Sequence, residues 1–324
     1  MTRIQHVALA AFAACALTTG AAAQTYPSRP ITVVMPFAGG SGSDVAARIV
    51  FAKMASNMGQ PIIVENKPGA GGNIGTALTA KATPDGYTLV GAASGPFAAN
   101  VTLYKELGYD PQKDFAMISP FVSYTVIITA SSKLGIASVQ ELIERAKKEP
   151  GALNYGSVGV GSSQHLAGEY FAQVTGVKLT HVPYRNIAQF GPDMIAGTVP
   201  LGFAWYPNVA GPLQSSGAKA LAVAGDKRLA VVPDTPTTTE ASVPQYKVDG
   251  WFGLAAPAGV PKDVLERLNK ELNAALNDAD VRASFETVGA VPFGLGLDES
   301  KAFLAGEIAK YRDIITKAGI AKIE

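Results

Sequence analysis

Two short stretches rich in glycine and serine carry the polar groups best suited to ligand chemistry. Residues 36–44 read PFAGGSGSD and lie between an apolar run, Ile31–Met35, and an amphipathic run at 45–58. Residues 156–163 read GSVGVGSS and follow the short segment 153–155. Each stretch predicts a strand, a glycine-rich loop and the first turn of a helix.

This arrangement favours an anion site built mainly from backbone. Glycine lets the main chain come close to a ligand and adopt positive φ where needed. The first turn of a helix has N–H groups without intrahelical partners, at the positive end of the helix dipole. Such a loop can bind a carboxylate. The alternative is an ordinary strand-to-helix turn capped by Ser43 or Asp44, but the repetition of the device favours the anion site.

Side chains could complete such a site. The five serines of the two loops could supply hydroxyl groups or could act only as helix caps, and they are Ser41, Ser43, Ser157, Ser162 and Ser163. Arg185 could meet a second acidic group of a ligand, or could be a solvated surface residue. Phe37 and Trp205 could form an apolar wall, although most aromatic residues belong to a core. His165 falls in a first helical turn, where we expect it to be neutral.

Two other kinds of site receive little support. A serine hydrolase would show a Gly-x-Ser-x-Gly elbow, and residues 39–43 read GGSGS without the last glycine. Residues 69–75 match a dinucleotide-binding spacing only loosely, because 66–68 separate them from the preceding strand. A close-packed helix start is the better interpretation of that segment. The sequence therefore predicts a binding protein and not an enzyme.

The first 23 residues have the pattern of a secretory signal peptide. Arg3 precedes an apolar region at 7–17, and three alanines at 21–23 form a small-residue cleavage site. Cys15 could mark a lipoprotein signal, but Phe12 stands where a leucine-like residue is usual. The mature chain would have 324 − 23 = 301 residues. That length favours two domains.

Composition excludes several classes of partner and cofactor. The sequence has 27 basic and 26 acidic residues, and loss of Arg3 leaves 27 − 1 = 26 of each sign. A neutral balance does not favour binding to nucleic acid. The single cysteine is Cys15, so the mature chain would have no cysteine metal site, and its histidines are His165 and His181. We expect neither a cofactor nor a metal.

The order of predicted elements indicates an α/β protein. Strands and helices alternate, which favours parallel sheets. Two long extended segments, 121–129 and 249–256, read as crossings between two domains. The expected domain 1 is discontinuous, 24–125 plus 250–324, and the expected domain 2 is 126–249. A ligand site between such domains is the natural expectation.

Seven motifs occur along the chain in one order. They read PFAGGSGSD at 36–44, ENKPGAGG at 65–72, PDGYTL at 84–89, YGSVGVGSSQHL at 155–166, HVPYR at 181–185, PDTPT at 233–237 and WFGLAAP at 251–257. Together they resemble the Bug/TctC family of periplasmic solute-binding proteins, which serve tripartite tricarboxylate transporters. The resemblance runs from about residue 26 to the C-terminus.

The resemblance implies a two-domain type II periplasmic-binding fold with two interdomain crossings and a hinged cleft. It implies a small organic anion as ligand, a mono- or dicarboxylate, held by backbone N–H groups, hydroxyls and ordered water. The positions that match the family, with the side chains weighed above, give the candidate ligand-binding residues. These are Phe37, Ala38, Gly39, Gly40, Ser41, Ser43, Ser94, Gly95, Ser157, Gly159, Gly161, Ser162, Ser163, Arg185 and Trp205.

Some positions depart from the family pattern. Gly39 replaces a bulkier residue and Ser41 a glycine, because the usual glycine pair comes one place later. Asn186 follows Arg185 where the family has a glycine, and Phe190 stands where a small residue is common. These changes bear on the identity of the ligand and not on the fold.

The sequence thus predicts a periplasmic, monomeric protein that captures a carboxylate and delivers it to integral-membrane permease subunits. A receptor that feeds a signalling partner is the alternative, which the sequence does not separate from transport.

Overall fold

The computed structural model describes residues 26–317 and 319–323. The expected signal peptide at 1–23, with Cys15, lies outside the described residues. The described strands are β1 (Ile31–Met35), β2 (Ile62–Asn66), β3 (Thr88–Ala93), β4 (Phe115–Thr125), β5 (Ile127–Ser131), β6 (Asn154–Ser157), β7 (Thr180–Pro183), β8 (Leu201–Ala204), β9 (Ala218–Val223), β10 (Asp249–Pro257) and β11 (Ala290–Pro292).

Helices cover the sheets and complete the α/β architecture. They are α1 (Gly42–Met58), α2 (Asn73–Ala80), α3 (Asn100–Leu103), α4 (Val139–Lys148), α5 (Ser163–Thr175), α6 (Phe190–Ala196), α7 (Tyr206–Gln214), α8 (Lys262–Leu276), α9 (Ala279–Thr287) and α10 (Leu297–Lys317). None of the helices in the described part of the chain has the length and apolarity needed to cross a membrane.

The described strands form two sheets, both of mixed direction. The six-stranded sheet has the order β11-β4-β10-β3-β1-β2, and the five-stranded sheet has the order β7-β6-β8-β5-β9. Strand β1 runs parallel to β2 and β3, but β10 is antiparallel to both β3 and β4. Strand β5 is antiparallel to β8 and β9. The expectation of parallel sheets is therefore wrong for the strands next to the crossings, because these enter from the opposite sheet.

The two crossings between the sheets are short and lie side by side. The chain leaves the first sheet after β4 and enters the second at β5, with Val126 between them. It returns at Val248, directly before β10. The amide of Val126 donates to the carbonyl of Val248 at 3.1 Å, that of Val248 to Ala224 at 2.9 Å, and that of Ala224 to Val126 at 2.8 Å. A closed ring of main-chain hydrogen bonds therefore joins the connections.

The extended segment at 249–256 is not the crossing that the sequence predicted. It belongs to β10, which pairs with β3 and β4 and is buried from Gly250 to Pro257. Its apolar composition follows from this central place in a sheet covered on both faces. The domain limits, 24–125 with 250–324 for domain 1 and 126–249 for domain 2, stay a prediction.

One hydrophobic core continues through the region between the sheets. Tyr124, at the end of β4, stacks on Trp205, which follows β8, with ring centroids 6.0 Å apart. Both side chains are almost fully buried. Tyr124 also donates a hydrogen bond from its hydroxyl to the carbonyl of Gly42 at 3.2 Å. The start of α1 thus lies beside the stacked pair of Tyr124 from the first sheet and Trp205 from the second.

Candidate functional site

The first glycine-serine loop, residues 36–44, links β1 to α1. Helix α1 begins at Gly42, so Ser41 and not Ser43 or Asp44 occupies the N-cap position. The Ser41 hydroxyl instead meets the Ser43 hydroxyl, with their oxygens 3.0 Å apart and both side chains buried. A Cβ atom at Gly42 would lie 3.1 Å from the Trp205 ring. Glycine there lets the loop pack closely against the second sheet.

Asp44 has a structural role in this loop. Its carboxylate accepts hydrogen bonds from the Gly40 amide at 2.9 Å, from Arg48 Nε at 3.0 Å and from Asn66 Nδ2 at 3.0 Å. Burial raises the pKa of this carboxyl, but the hydrogen bonds from Arg48, Gly40 and Asn66 lower the pKa below its usual value. The Gly40 amide therefore binds Asp44 and is not free to bind an anion.

The second glycine-serine loop, residues 156–163, links β6 to α5. The Ser162 hydroxyl caps α5 by accepting a hydrogen bond from the His165 amide at 3.3 Å. The Gly161 amide donates to His165 Nδ1 at 3.2 Å. The Ser157 hydroxyl lies 2.6 Å from His181 Nε2 and accepts from the Gly159 amide at 3.1 Å. The side chains of His165 and His181 therefore hold the loop through hydrogen bonds.

These two histidines are held neutral by their surroundings. The ring centroids of His165 and His181 are 4.1 Å apart. Burial first, and then the proximity of His165, lower the pKa of His181 to about 3. Burial also lowers the pKa of His165, against the opposing effect of Glu169, whose carboxylate lies 3.9 Å from its Nε2. The expectation that His165 is neutral agrees with this environment.

The loops of the two sheets meet across a closed cleft. The hydroxyl oxygens of Ser94, after β3, and Ser163, at the start of α5, are 2.6 Å apart. A Cβ atom at Gly71 would lie 2.1 Å from the carbonyl oxygen of Val160, and one at Gly95 would lie 2.9 Å from that of Gly161. Backbone packs on backbone here, so only glycine allows this degree of closure.

A small buried cavity, here called the inner cavity, lies between the two loops. Its walls from the first sheet are Phe37, Ser41, Gly42, Ser43 and Phe252, and its walls from the second are Val158, Ser162, Ser163, Gln164, Trp205 and Asn208. The space open to the centre of a water molecule is about 10 Å³. That is room for about one water molecule, since a single site needs roughly 10–15 Å³ by this measure.

A larger space, here called the outer cavity, opens beside the inner one. It has a volume of about 500 Å³ and lies between residues 36–38 and 68–71 on one side and 158–160 and 183–185 on the other. Phe37 and Val158 line both cavities and so form the partition between them. The exposed Arg185 lies on the wall of the outer cavity.

The predicted ligand-binding residues fall into five groups. Those that line the inner cavity are Phe37, Ser41, Ser43, Ser162, Ser163 and Trp205. Those that line the outer cavity include Ala38, Gly159 and Arg185, together with Phe37. Ser94, Gly95 and Gly161 lie at the closing contact, and Ser157 is buried beneath the second loop. Gly39 and Gly40 are exposed and line neither cavity.

Several residues at the cleft were not among the predictions. Gln164 and Asn208 line the inner cavity as a hydrogen-bonded pair, with Gln164 Nε2 donating to Asn208 Oδ1 at 2.8 Å. Gln164 directly follows the serine pair, so its place in the first helical turn was a usable signal. Asn208 comes from α7, and only the tertiary fold brings it there. Gly71 lies in the segment interpreted as a helix start, where the sequence does not show what packs against it.

The geometry does not assemble a hydrolase site around Ser41, whose hydroxyl contacts Ser43. The Ser157 hydroxyl contacts the ring of His181, and Ser157 is fully buried. Among residues 26–317 and 319–323, no three His, Cys, Asp or Glu side chains are grouped closely enough to hold a metal ion.

Comparison with known proteins gives a consistent result. The matching family model is the tripartite tricarboxylate transporter family receptor, TctC, over residues 46–320. The protein BugT of Bordetella pertussis is 31% identical to this chain over 320 residues, which cover 98% of each chain. The match to BugT extends over both sheets and both loops, whereas the family model begins after the first loop.

Two solved structures extend the comparison to three dimensions. R. palustris Rpa4515 with adipate is 32% identical, with a TM-score of 0.88, and the match covers 92% of this chain and 100% of that one. MatC (Rpa3494) from Rhodopseudomonas palustris with bound malate is 31% identical, with a TM-score of 0.84 and coverage of 90% and 100%.

These matches confirm the predicted fold class, an α/β type II periplasmic-binding architecture. They also confirm the resemblance carried by the seven motifs. The chain belongs to the Bug/TctC family of periplasmic solute-binding proteins, the receptors of tripartite tricarboxylate transporters.

Proposed function

We propose that this protein captures a small organic carboxylate in the cleft between its two sheets. The observation that carries the proposal is the meeting of two glycine-serine loops around one cavity. Four serine hydroxyls line that cavity, from Ser41 and Ser43 on one side and Ser162 and Ser163 on the other. Hydrogen bonds to a charged group contribute about 1.5–3 kcal/mol each. Neutral donors can therefore bind a carboxylate without a salt bridge.

The relatives support this ligand class. Adipate and malate, named with two of the similar structures, are both dicarboxylates. In this chain, no charged side chain is among the described residues that line the inner cavity. Arg185 lies on the outer cavity and would meet the second carboxylate of a dicarboxylate that extends past Phe37 and Val158. Because Arg185 is exposed, that ion pair would add about 1 kcal/mol or less.

Ligand entry requires the cleft to open. The inner cavity in the closed form holds about one water molecule, which is less than a carboxylate occupies. The ring of hydrogen bonds between Val126, Ala224 and Val248 is where the two connections could bend together. A ligand favours closure only if it contacts both loops in the closed state. The serines on the two sides supply those contacts.

The proposed place of action is the periplasm, reached through cleavage of a signal peptide at 1–23. The proposed partner is the membrane permease of a tripartite tricarboxylate transporter. A signalling partner remains the alternative. Uptake of the carboxylate is measured in cells that lack the receptor gene and in the same cells with the gene restored. Uptake that requires the gene indicates transport, and uptake that does not require it indicates signalling.

A ligand screen tests the proposal most directly. The purified secreted protein is heated with a panel of mono-, di- and tricarboxylates, with sugars and amines as controls. A ligand at about 100 times its dissociation constant adds roughly 2.7 kcal/mol to the stability of the native state. We expect an increase in Tm confined to one group of carboxylates. An increase with a sugar or an amine, and none with any acid, would contradict the proposal, and turnover of a model ester would favour an enzyme.

A further inference from the structure

Gln164 presents a buried hydrogen-bond acceptor that has no partner. Its side chain is 1% exposed and lines the inner cavity. Its Nε2 donates to Asn208 Oδ1 at 2.8 Å, whereas its Oε1 is buried without a hydrogen-bond partner. A buried polar atom without a partner is costly, so this oxygen marks a position where a donor is needed.

The position of Gln164 distinguishes it from the other unpartnered buried atoms of the described chain. These are Asn100 Oδ1 and Arg267 Nε, and neither residue lines the inner cavity. Of these three residues, Gln164 is therefore the one that lies where the two loops would meet a ligand. It belongs to the first turn of α5, beside Ser162 and Ser163.

The chemistry of the missing donor follows from the walls of the inner cavity. The residues that line it are apolar or neutral, with no carboxylate among them. An ammonium group placed there would find no carboxylate of the protein to pair with, whereas a ligand carboxylate can accept hydrogen bonds from the serine hydroxyls. A neutral hydroxyl group carries the required hydrogen and needs no counter-ion.

We propose that Gln164 is a specificity-determining residue that selects hydroxycarboxylates over the corresponding unsubstituted acids. In a cleft that has opened enough to admit the carboxylate, its Oε1 accepts a hydrogen bond from a ligand hydroxyl, while the carboxylate meets the serine hydroxyls. The rest of the ligand extends past Phe37 and Val158 into the outer cavity. This inference rests on the proposed function, since it takes the inner cavity as the ligand site.

Calorimetric titration with matched acids tests the inference. The pairs are malate and succinate, lactate and propionate, and 3-hydroxybutyrate and butyrate. In the pair that binds most tightly, we expect the wild-type protein to bind the hydroxylated acid at least about tenfold more tightly than the unsubstituted acid. The unsubstituted acid has no hydroxyl group and leaves Oε1 unpaired. In Gln164→Met, which keeps the side-chain length but removes the amide, this preference should fall below about threefold.

A matched control lies on the same helix. Gln173 is exposed, and Gln173→Met makes the same substitution away from the cleft. We expect it to retain the wild-type preference. If Gln164→Met does not fold, Gln164→Asn takes its place, because it keeps an amide but withdraws it by one methylene group, and the same loss of preference is expected.

The outcomes separate this inference from the proposed function. Binding of carboxylates with equal affinity for both members of each pair would overturn the inference and leave the function standing. It would mean that a water molecule satisfies Gln164, or that its amide nitrogen faces the ligand. A preference that survives in Gln164→Met would also overturn the inference. Absence of binding to every carboxylate would overturn both.

Discussion

At the scale of single residues, the cleft depends on polar side chains that are buried and uncharged. The hydroxyls of Ser41 and Ser43 contact each other, and the hydroxyl of Ser157 contacts His181. The histidine pair of the second loop belongs to this set, because burial lowers the pKa of His165 and of His181 below the usual value near neutral pH. The loop is therefore supported by two neutral imidazole rings.

The histidine pair predicts a loss of stability in mild acid. His181 is surrounded by His165, Tyr155 and Ser157, and Glu169 lies beyond His165. The pKa of His181 in the folded protein, about 3, lies below its usual 6.5. The unfolded chain therefore binds more protons between these values, and the free energy of unfolding falls as pH is lowered through this range. We expect Tm to fall between pH 6.5 and 5, before most carboxylates titrate.

The check is a series of thermal melts at pH 7.5 to 5 for wild type and His181→Gln. The glutamine variant should lose part of the pH dependence, because it removes one titrating group. A wild-type Tm that stays constant over this range would show that the pair remains hydrated and accessible to protons.

The limits of sequence reasoning are visible at this scale. Ser41, Ser43, Ser162 and Ser163, which line the inner cavity, could be predicted to lie at the cleft because a glycine-rich strand-to-helix loop has a known local geometry. The hydrogen bond from the Gly40 amide to Asp44 could not be predicted from the sequence, because Asn66 and Arg48 also hold the Asp44 carboxylate in place. Gln164 was missed because a glutamine in a first helical turn usually faces solvent.

At the scale of elements, the cleft closes through loops whose glycines make different contacts. The absence of a Cβ atom leaves room for the Trp205 ring at Gly42, for the Gly161 carbonyl at Gly95 and for the Val160 carbonyl at Gly71. These contacts join different sheets, so the spacing of glycines in one loop does not reveal them. The sequence correctly predicted the strand, loop and helix order at both serine-rich loops, because hydrophobic periodicity is a local signal.

Gly71→Ala should weaken ligand binding by hindering closure. The added Cβ would lie 2.1 Å from the carbonyl oxygen of Val160. Overpacking of this kind costs about 1–3 kcal/mol, which corresponds to roughly 5- to 150-fold in affinity if it acts only on the closed form. Calorimetry with a ligand identified in the screen measures the effect.

Gly59→Ala is the matched control. Gly59 has φ +69°, close to the φ +62° of Gly71, but a Cβ there would have no atom within 4 Å. Both variants carry the strain of alanine in the left-handed region, about 1–2 kcal/mol of stability. Equal affinities for the two variants would show that the Gly71 contact has no role in closure.

At the scale of the whole molecule, two sheets are joined by connections that come together at one hydrogen-bonded ring. Two-domain organisation could be predicted from chain length and from the extended segments near 121–129 and 249–256. The direction of β10 and β5 could not be predicted, because the local sequence of a strand does not show whether it runs parallel or antiparallel to its neighbours. The crossings are also shorter than predicted, since β4, β5 and β10 continue almost to the hinge.

A disulfide across the cleft should lock the molecule. The hydroxyl oxygens of Ser94 and Ser163 are 2.6 Å apart, so cysteines at both positions would place two sulfurs within reach of a bond of about 2.05 Å. The sequence has one native cysteine, Cys15, in the expected signal peptide. We expect oxidised Ser94→Cys/Ser163→Cys to bind no added ligand and to regain binding after reduction. Each single variant should bind ligand to the same extent before and after reduction, although Ser163→Cys should bind more weakly than wild type because it removes one of the cavity hydroxyls.

Small-angle X-ray scattering supplies the second readout. The oxidised protein should keep one radius of gyration with and without ligand, whereas the wild type should become more compact on binding. Ligand exchange in the oxidised form at the wild-type rate would mean that the cleft does not need to open.

The contacts that close the cleft use backbone atoms and serine hydroxyls, while the walls that face a ligand use larger side chains. Gly71 and Gly95 meet the carbonyls of Val160 and Gly161, whereas Phe37, Gln164 and Trp205 shape the inner cavity. Apart from Ser163, which contacts Ser94 and also lines the inner cavity, motion and recognition thus depend on different positions. Mutations that alter the walls can change the solute without disturbing the movement. A receptor of this design can diversify in evolution, or be redesigned as a reporter, while its opening and closing stay the same.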